Sequence, residues 1–255
     1  MLRRSKARQG EAVLAGQMLG EFMGTAMLVL FGTGVVANVC LSDSKGNNSG
    51  WGVIAAGWAF AVLIGVFIAI LFGSPAANIN PAVTLAFAIA TGDTTKLVPY
   101  IFAQFGGAFV GSLLMYLTYF AQWSRTDDPN LKLACFSTGP AVRKPLANLL
   151  TEAIATGTLV LGVAAIFSKT VSPTGPAAEL GPFLVAGVVW GVGLSLGGPT
   201  GFAVNPARDL ASRVVHAVIP LGGTKGPSDW SYAWIPVVGP CLGATVAGLL
   251  LRTIG

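Results

Sequence analysis

The chain is poor in charge: Asp, Glu, Lys and Arg make up 10% of its 255 residues, against about 25% in an ordinary soluble domain. So few charges cannot solvate a globular surface, which excludes that class. Histidine is almost missing. His216 is the only one, so a catalytic triad or a His-based metal site lacks partners. Cys40, Cys135 and Cys241 have no metal-like spacing and imply no disulfide framework. The glycine-rich run "GPTGFAVNPARD" (198–209) lacks the Lys-Ser or Lys-Thr that completes a phosphate loop. No cofactor, metal or enzymatic chemistry is therefore expected.

What is present is hydrocarbon, with 53% hydrophobic residues. The stretch "VIAAGWAFAVLIGVFIAILF" (53–72) carries no charge and is long enough to cross a bilayer. The basic start, "MLRRSKARQGEAVLAG", leads into a full-length apolar segment rather than a cleavable signal. A net charge of +5 reflects basic residues flanking membrane spans, not a nucleic-acid partner. The pattern predicts six spans at about 13–38, 52–73, 97–121, 148–168, 180–198 and 232–251. An even number of spans puts both termini on one side. Arg3, Arg4, Lys6 and Arg8 assign that side to the cytoplasm of a cell-membrane protein, joined by Lys96, Lys169 and Arg252. The opposite loops hold Lys45, Arg125, Lys132, Arg143, Lys144 and Lys225, so the N-terminal cluster decides the bias.

The chain also repeats itself. "GEFMGTAMLVLFGTG" (20–34) resembles "TEAIATGTLVLGVAA" (151–165), aligning Glu21 with Glu152. "QFGGAFVGSLL" (104–114) resembles "PCLGATVAGLL" (240–250). Residues 1–121 form one half, 122–147 a polar external connector, and 148–255 the other half. Each half has three spans, an odd number, so the second enters the membrane inverted, with a site expected near the midplane. The small-residue run Gly106, Gly107, Gly111 and Ser112 predicts close packing of spans.

Two triplets fall outside the spans, in "NINPA" (78–82) and "AVNPA" (203–207). Asn is a strong N-cap and Pro suits the first helical position. Each triplet thus opens a half-length helix, at about 80–91 and 205–217, too short to span alone. Meeting tip to tip, the two would make a broken seventh span. Non-helical backbone at that depth must be buried in protein or line a water-filled cavity. The carbonyls of Ala76, Ala77, Asn78, Gly201 and Ala203 would form an acceptor ladder. The amides of Asn80 and Asn205 would supply donors at the pore centre. Both helix N-termini would oppose cations there.

With "NPAVT", "NPARD" and the repeated glutamates, the sequence resembles the aquaporin and aquaglyceroporin family over about residues 13–251. The resemblance implies an all-α membrane protein: a right-handed bundle of six transmembrane helices plus two re-entrant half-helices, with four protomers in a homotetramer and one pore in each. The partners it implies are small neutral solutes, water and the lipid bilayer. It assigns Glu21 and Glu152 to loop support rather than to a proton relay. It places Phe60, Gly193, Phe202 and Arg208 in the selectivity filter, Phe60 by counting back from Asn80 with the family's spacing. Gly193 leaves room that Phe202 fills as an apolar wall, which suits glycerol. Tyr116, Asp209, Arg213 and Pro236 resemble the glycerol-facilitator pattern. Facilitators usually carry Trp where Phe60 is counted, and "SPAAN" (74–78) departs from the common loop. Water, urea and protonated small acids such as lactic acid are the alternative solutes. An alternating-access carrier and a closed, adhesive protein are the rival functions.

Overall fold

The computed structural model describes residues 2–176 and 180–254, with side chains from Gly10 onward. The side chains of Arg3, Arg4, Lys6 and Arg8, which decide the expected orientation, lie outside those described. Nine α-helices and no strand occur among the described residues: α1 Leu2–Cys40, α2 Trp51–Leu71, α3 Pro81–Thr91, α4 Leu97–Thr118, α5 Pro129–Ala134, α6 Pro145–Phe167, α7 Gly181–Leu196, α8 Pro206–Val218 and α9 Ile235–Ile254. Five of these are long and apolar enough to cross a membrane by themselves: α1, α2, α4, α6 and α9.

The segment expected to span at 180–198 is helical only over Gly181–Leu196. At about 1.5 Å per residue this helix falls short of a bilayer core of about 30 Å. It ends where Gly197, Gly198 and Pro199 break the pattern. The last helix begins at Ile235 rather than near 232, after a turn over residues 230–234.

The packing of the two halves corresponds element by element. Helix α1 packs on α2 and α4, as α6 packs on α7 and α9. The half-helices cross over: α3 packs against α9, and α8 against α4. Helices α2 and α7, which occupy equivalent places, pack on each other. The correspondence extends to single atoms. A Cβ on Gly107 would run into the carbonyl oxygen of Phe22, the residue after Glu21. A Cβ on Gly243 would run into the carbonyl oxygen of Ala153, the residue after Glu152. Glycine at these two places lets α4 close on α1 and α9 close on α6, so that each carboxylate is buried between helices.

The connector is a folded part of the molecule rather than a solvated strap. It holds a 3-10 turn at Trp123–Arg125 and helix α5, capped by the Asp128 carboxylate accepting from the Asn130 N–H at 2.8 Å. Trp123, Lys132, Cys135 and Phe136 are buried, three of them in the apolar core that runs through the bundle.

Candidate functional site: a pore through the bundle

Helices α3 and α8 begin as their sequences dictate, with Asn at the cap and Pro at the first turn. The Asn80 side-chain oxygen accepts from the Ala82 N–H at 2.9 Å; that of Asn205 accepts from Ala207 at 3.0 Å and Arg208 at 3.2 Å. Each amide nitrogen then crosses to the opposite loop. Asn80 Nδ2 donates to the Val204 carbonyl at 2.8 Å, and Asn205 Nδ2 donates to the Ile79 carbonyl at 2.9 Å. The tips are thus bonded reciprocally. A primary amide carries two N–H donors, so each Asn retains one beyond its crossing bond. Both residues line a cavity of about 210 Å³ inside the bundle.

The loops before the caps hold left-handed backbone at alternate non-glycine residues: Ala77 (φ 43°) and Ile79 (φ 44°) in one, Phe202 (φ 38°) and Val204 (φ 44°) in the other. Such conformations cost free energy and persist only where neighbours enforce them. Alternating the sign of φ in an extended segment turns successive carbonyls toward one side. Ala76, Ala77, Asn78 and Ala203 line the cavity. Gly201, also expected there, sits instead against Thr138 and is not among the lining residues.

Two buried carboxylates hold these loops. Glu21 accepts from Asn78 N at 2.9 Å, Ile79 N at 2.7 Å, Ser74 Oγ at 2.7 Å and Gln104 Nε2 at 2.8 Å. Glu152 accepts from Ala203 N at 3.0 Å and Val204 N at 2.9 Å. Opposite the loops the cavity wall is hydrocarbon, from Val62, Val66, Leu159, Val163 and Val189. The cavity therefore has a polar strip and an apolar face.

Arg208, Trp58 and Phe202 cluster on its lining. The Arg208 guanidinium lies 4.1 Å from the centroid of the Trp58 ring, within cation–π range. Phe202 meets Trp58 and Trp51 edge-on, with centroids at 6.5 and 5.7 Å. Trp51 donates its indole N–H to the Gly193 carbonyl at 2.9 Å. A Cβ on Gly193 would stand 3.0 Å from the tip of the Phe202 ring. Gly193 thus makes room for Phe202 from behind and does not itself line the cavity.

Phe60 requires a correction. It is 52% exposed on the outside of α2, while Trp58 is 4% exposed and lines the cavity. The count back from Asn80 stops two residues short. Two steps along an α-helix rotate a side chain by about 200°, which takes it from the lumen to the outer face. The expected absence of Trp from this ring is overturned by the same observation. The signal was in the sequence: "GWAF" (57–60) offers an aromatic at each of two nearby positions, and only the packing of α2 selects between them.

Three of the four glycerol-facilitator markers brace the connector end of the bundle. Asp209 and Arg213 form a fully buried ion pair at 2.9 Å. Asp209 also accepts from Thr138 N at 2.7 Å and Thr138 Oγ1 at 2.6 Å. Arg213 donates to the carbonyls of Thr138, Ser228 and Asp229 at 2.9, 2.8 and 3.2 Å. Tyr116 donates its hydroxyl to the Pro220 carbonyl at 2.8 Å. The fourth, Pro236, is buried in the first turn of α9. His216 faces Ser228 Oγ at 2.8 Å in the same brace. The sequence did not single out Lys132, whose ammonium donates to the Gly222 and Thr224 carbonyls at 2.6 and 2.9 Å. Burial pushes that ammonium below the ordinary lysine value.

Comparison with known proteins agrees with this geometry. The family model described as "Major intrinsic protein" matches residues 9–251. The chain belongs to the major intrinsic protein family. It is similar to a "Probable glycerol uptake facilitator protein" of Thermotoga maritima, 51% identical over 233 residues, covering 91% of this chain and 96% of the relative. It is also similar to "Glycerol uptake facilitator protein 3" of Lactiplantibacillus plantarum, 45% identical over 242 residues and covering 94% and 98%. Among solved structures it resembles the aquaglyceroporin from Plasmodium falciparum, with a TM-score of 0.80, 28% identity, and 94% and 96% of the two chains covered. As a major intrinsic protein it is a multi-pass membrane protein built as a helical bundle, and not an enzyme.

Proposed function

We propose that this chain is a passive channel for glycerol and related small neutral polyols, and for water, that excludes protons and ions. The observation that carries the reading is the cluster of Arg208, Trp58 and Phe202 on the lining of the cavity that Asn80 and Asn205 also line. A polyol carries hydroxyls along one edge and C–H groups along the other. The guanidinium and the Asn amides supply donors to the hydroxyl edge, and the loop carbonyls supply acceptors. The rings of Trp58 and Phe202 and the aliphatic wall receive the C–H edge. The same cavity presents a fixed guanidinium and two helix N-termini to any cation. The names of the curated relatives support glycerol as the solute.

In this reading Asn80 and Asn205 form the pore centre, and Glu21 and Glu152 act as struts. Residues 1–121 and 148–255 are inverted repeats joined by the 122–147 connector, which caps the external mouth. The protein works as a homotetramer in the cell membrane with both termini cytoplasmic. The basic N-terminal tail and the even number of crossings support that orientation.

Purified protein in liposomes, exposed to an inward glycerol gradient, tests the function. Shrinkage should be followed by fast reswelling that does not saturate with glycerol and has a low activation energy. Saturating, strongly temperature-dependent uptake would identify a carrier instead.

A further inference from the structure

We propose that Asn78 is a specificity-determining residue of the pore, its side-chain carbonyl locked toward the lumen so as to accept a hydroxyl proton from the passing polyol. The inference rests on reading the cavity as the conduction path. Asn78 lines that cavity, and Thr84, directly behind it, does not. The lock is a chain of hydrogen bonds whose direction is set at one end. Glu21 is a carboxylate accepting two backbone N–H bonds, so the group of Gln104 that meets it at 2.8 Å is the amide nitrogen. The same nitrogen donates to Thr84 Oγ1 at 2.9 Å. Thr84 spends its single proton on the Asn80 carbonyl at 3.0 Å.

A hydroxyl has one proton and two acceptor positions. Gln104 fills one acceptor position, and the proton is committed. The remaining position can only take a donor, and Asn78 Nδ2 meets it at 3.2 Å. The reverse orientation of the Asn78 amide would set its oxygen against a hydroxyl with no proton left. The amide therefore turns its nitrogen inward, and Oδ1 finds no donor among the described residues. Two residues along the loop, Asn80 keeps a free N–H. A donor and an acceptor so placed suit adjacent hydroxyls, one accepting and the next donating.

The second half has no such station. Ala203 stands where Asn78 stands, and Asp209 stands where Thr84 stands. A side-chain acceptor beyond the backbone ladder is thus present on one approach to the pore centre only, while the other carries the Arg208 donor.

Stopped-flow light scattering on proteoliposomes, with glycerol and water measured separately, tests this. Asn78→Ala keeps the backbone bond to Glu21, and should lower glycerol permeability about three- to tenfold, the factor one neutral hydrogen bond carries, with water permeability kept. Thr84→Val should lower the ratio of glycerol to water permeability in the same sense without touching the lumen, and Thr84→Ser should restore it. The double variant should be no worse than Asn78→Ala alone, because both remove one interaction. A wild-type ratio in Asn78→Ala, equal loss of glycerol and water permeability, or multiplying effects in the double variant would each overturn the proposal. Thr84→Val can disturb the fold, so Asn78→Ala decides by itself. Absence of glycerol flux in the unaltered protein would instead refute the channel reading.

Discussion

The two re-entrant loops share a backbone and differ in chemistry. Each ends in an Asn-Pro cap, carries left-handed φ at alternate residues, and hangs from a buried glutamate. The cap is followed by Val83-Thr84 in one and Arg208-Asp209 in the other. Gln104, which braces the first carboxylate, is matched in the repeat by Pro240, which has no donor. The first loop is therefore tied inward, through Glu21, Gln104 and Thr84. The second is tied outward, through Asp209 and Arg213 to Thr138, Ser228 and Asp229. The difference shows how one scaffold, used twice, supports unlike ends: the carboxylate fixes the backbone, and the pair after the cap decides where charge faces the lumen.

The strongest way to break this comparison is to cut the outward tie. Arg213→Met should leave Asp209 as a buried carboxylate with only Thr138 for company. Stranding a buried charge costs about 3–5 kcal/mol, so thermal denaturation in detergent should occur at a clearly lower temperature. An unchanged midpoint would mean the second loop does not depend on its external brace.

The next largest effect sharpens the inward tie. Glu21→Gln disrupts a carboxylate with four donors, and Glu152→Gln one with two backbone donors. Hydrogen bonds to a charged group are worth about 1.5–3 kcal/mol each. Both variants should lose stability and flux, Glu21→Gln more. Equal losses in paired melting curves would show that Ser74 and Gln104 add nothing to the strut.

Arg208→Val makes the second half-helix copy the first, since Val83 holds the matching place. It should add a cation current in voltage-clamped cells, proton current included, while the fold persists. The dipoles of both half-helices remain, so the leak should be partial. A silent variant would assign exclusion to the dipoles alone and leave Arg208 a binding role.

The smallest effects separate two aromatics on α2. Trp58→Phe should reduce glycerol permeability a fewfold relative to water, because a smaller ring offers less face to the guanidinium and the C–H edge. Phe60→Leu, on the outer face, should leave the permeability ratio where it was. A reversed outcome in the same flux assay would return Phe60 to the filter.

Much of this molecule could be read along the chain because the governing rules are local. Asn followed by Pro caps a helix wherever it occurs, so Asn80 and Asn205 announced two half-helices. Uncharged runs announced spans, and the alignment of Glu21 with Glu152 announced two related halves. What could not be read depends on rotation and on partners far away in sequence. Trp58 and Phe60 are equally aromatic; the packing of α2 on α1 and α7 turned one to the lumen and the other outward. Asp209 and Arg213 were legible as glycerol-facilitator markers, yet their geometry was set by Thr138, Ser228 and Asp229, which no spacing links to them. The direction of the Asn78 amide was decided three hydrogen bonds away, by a carboxylate on α1 acting through Gln104 and Thr84. Side-chain identity fixes how many donors and acceptors a residue brings, and only the assembled neighbours determine which of them remain free to meet a solute.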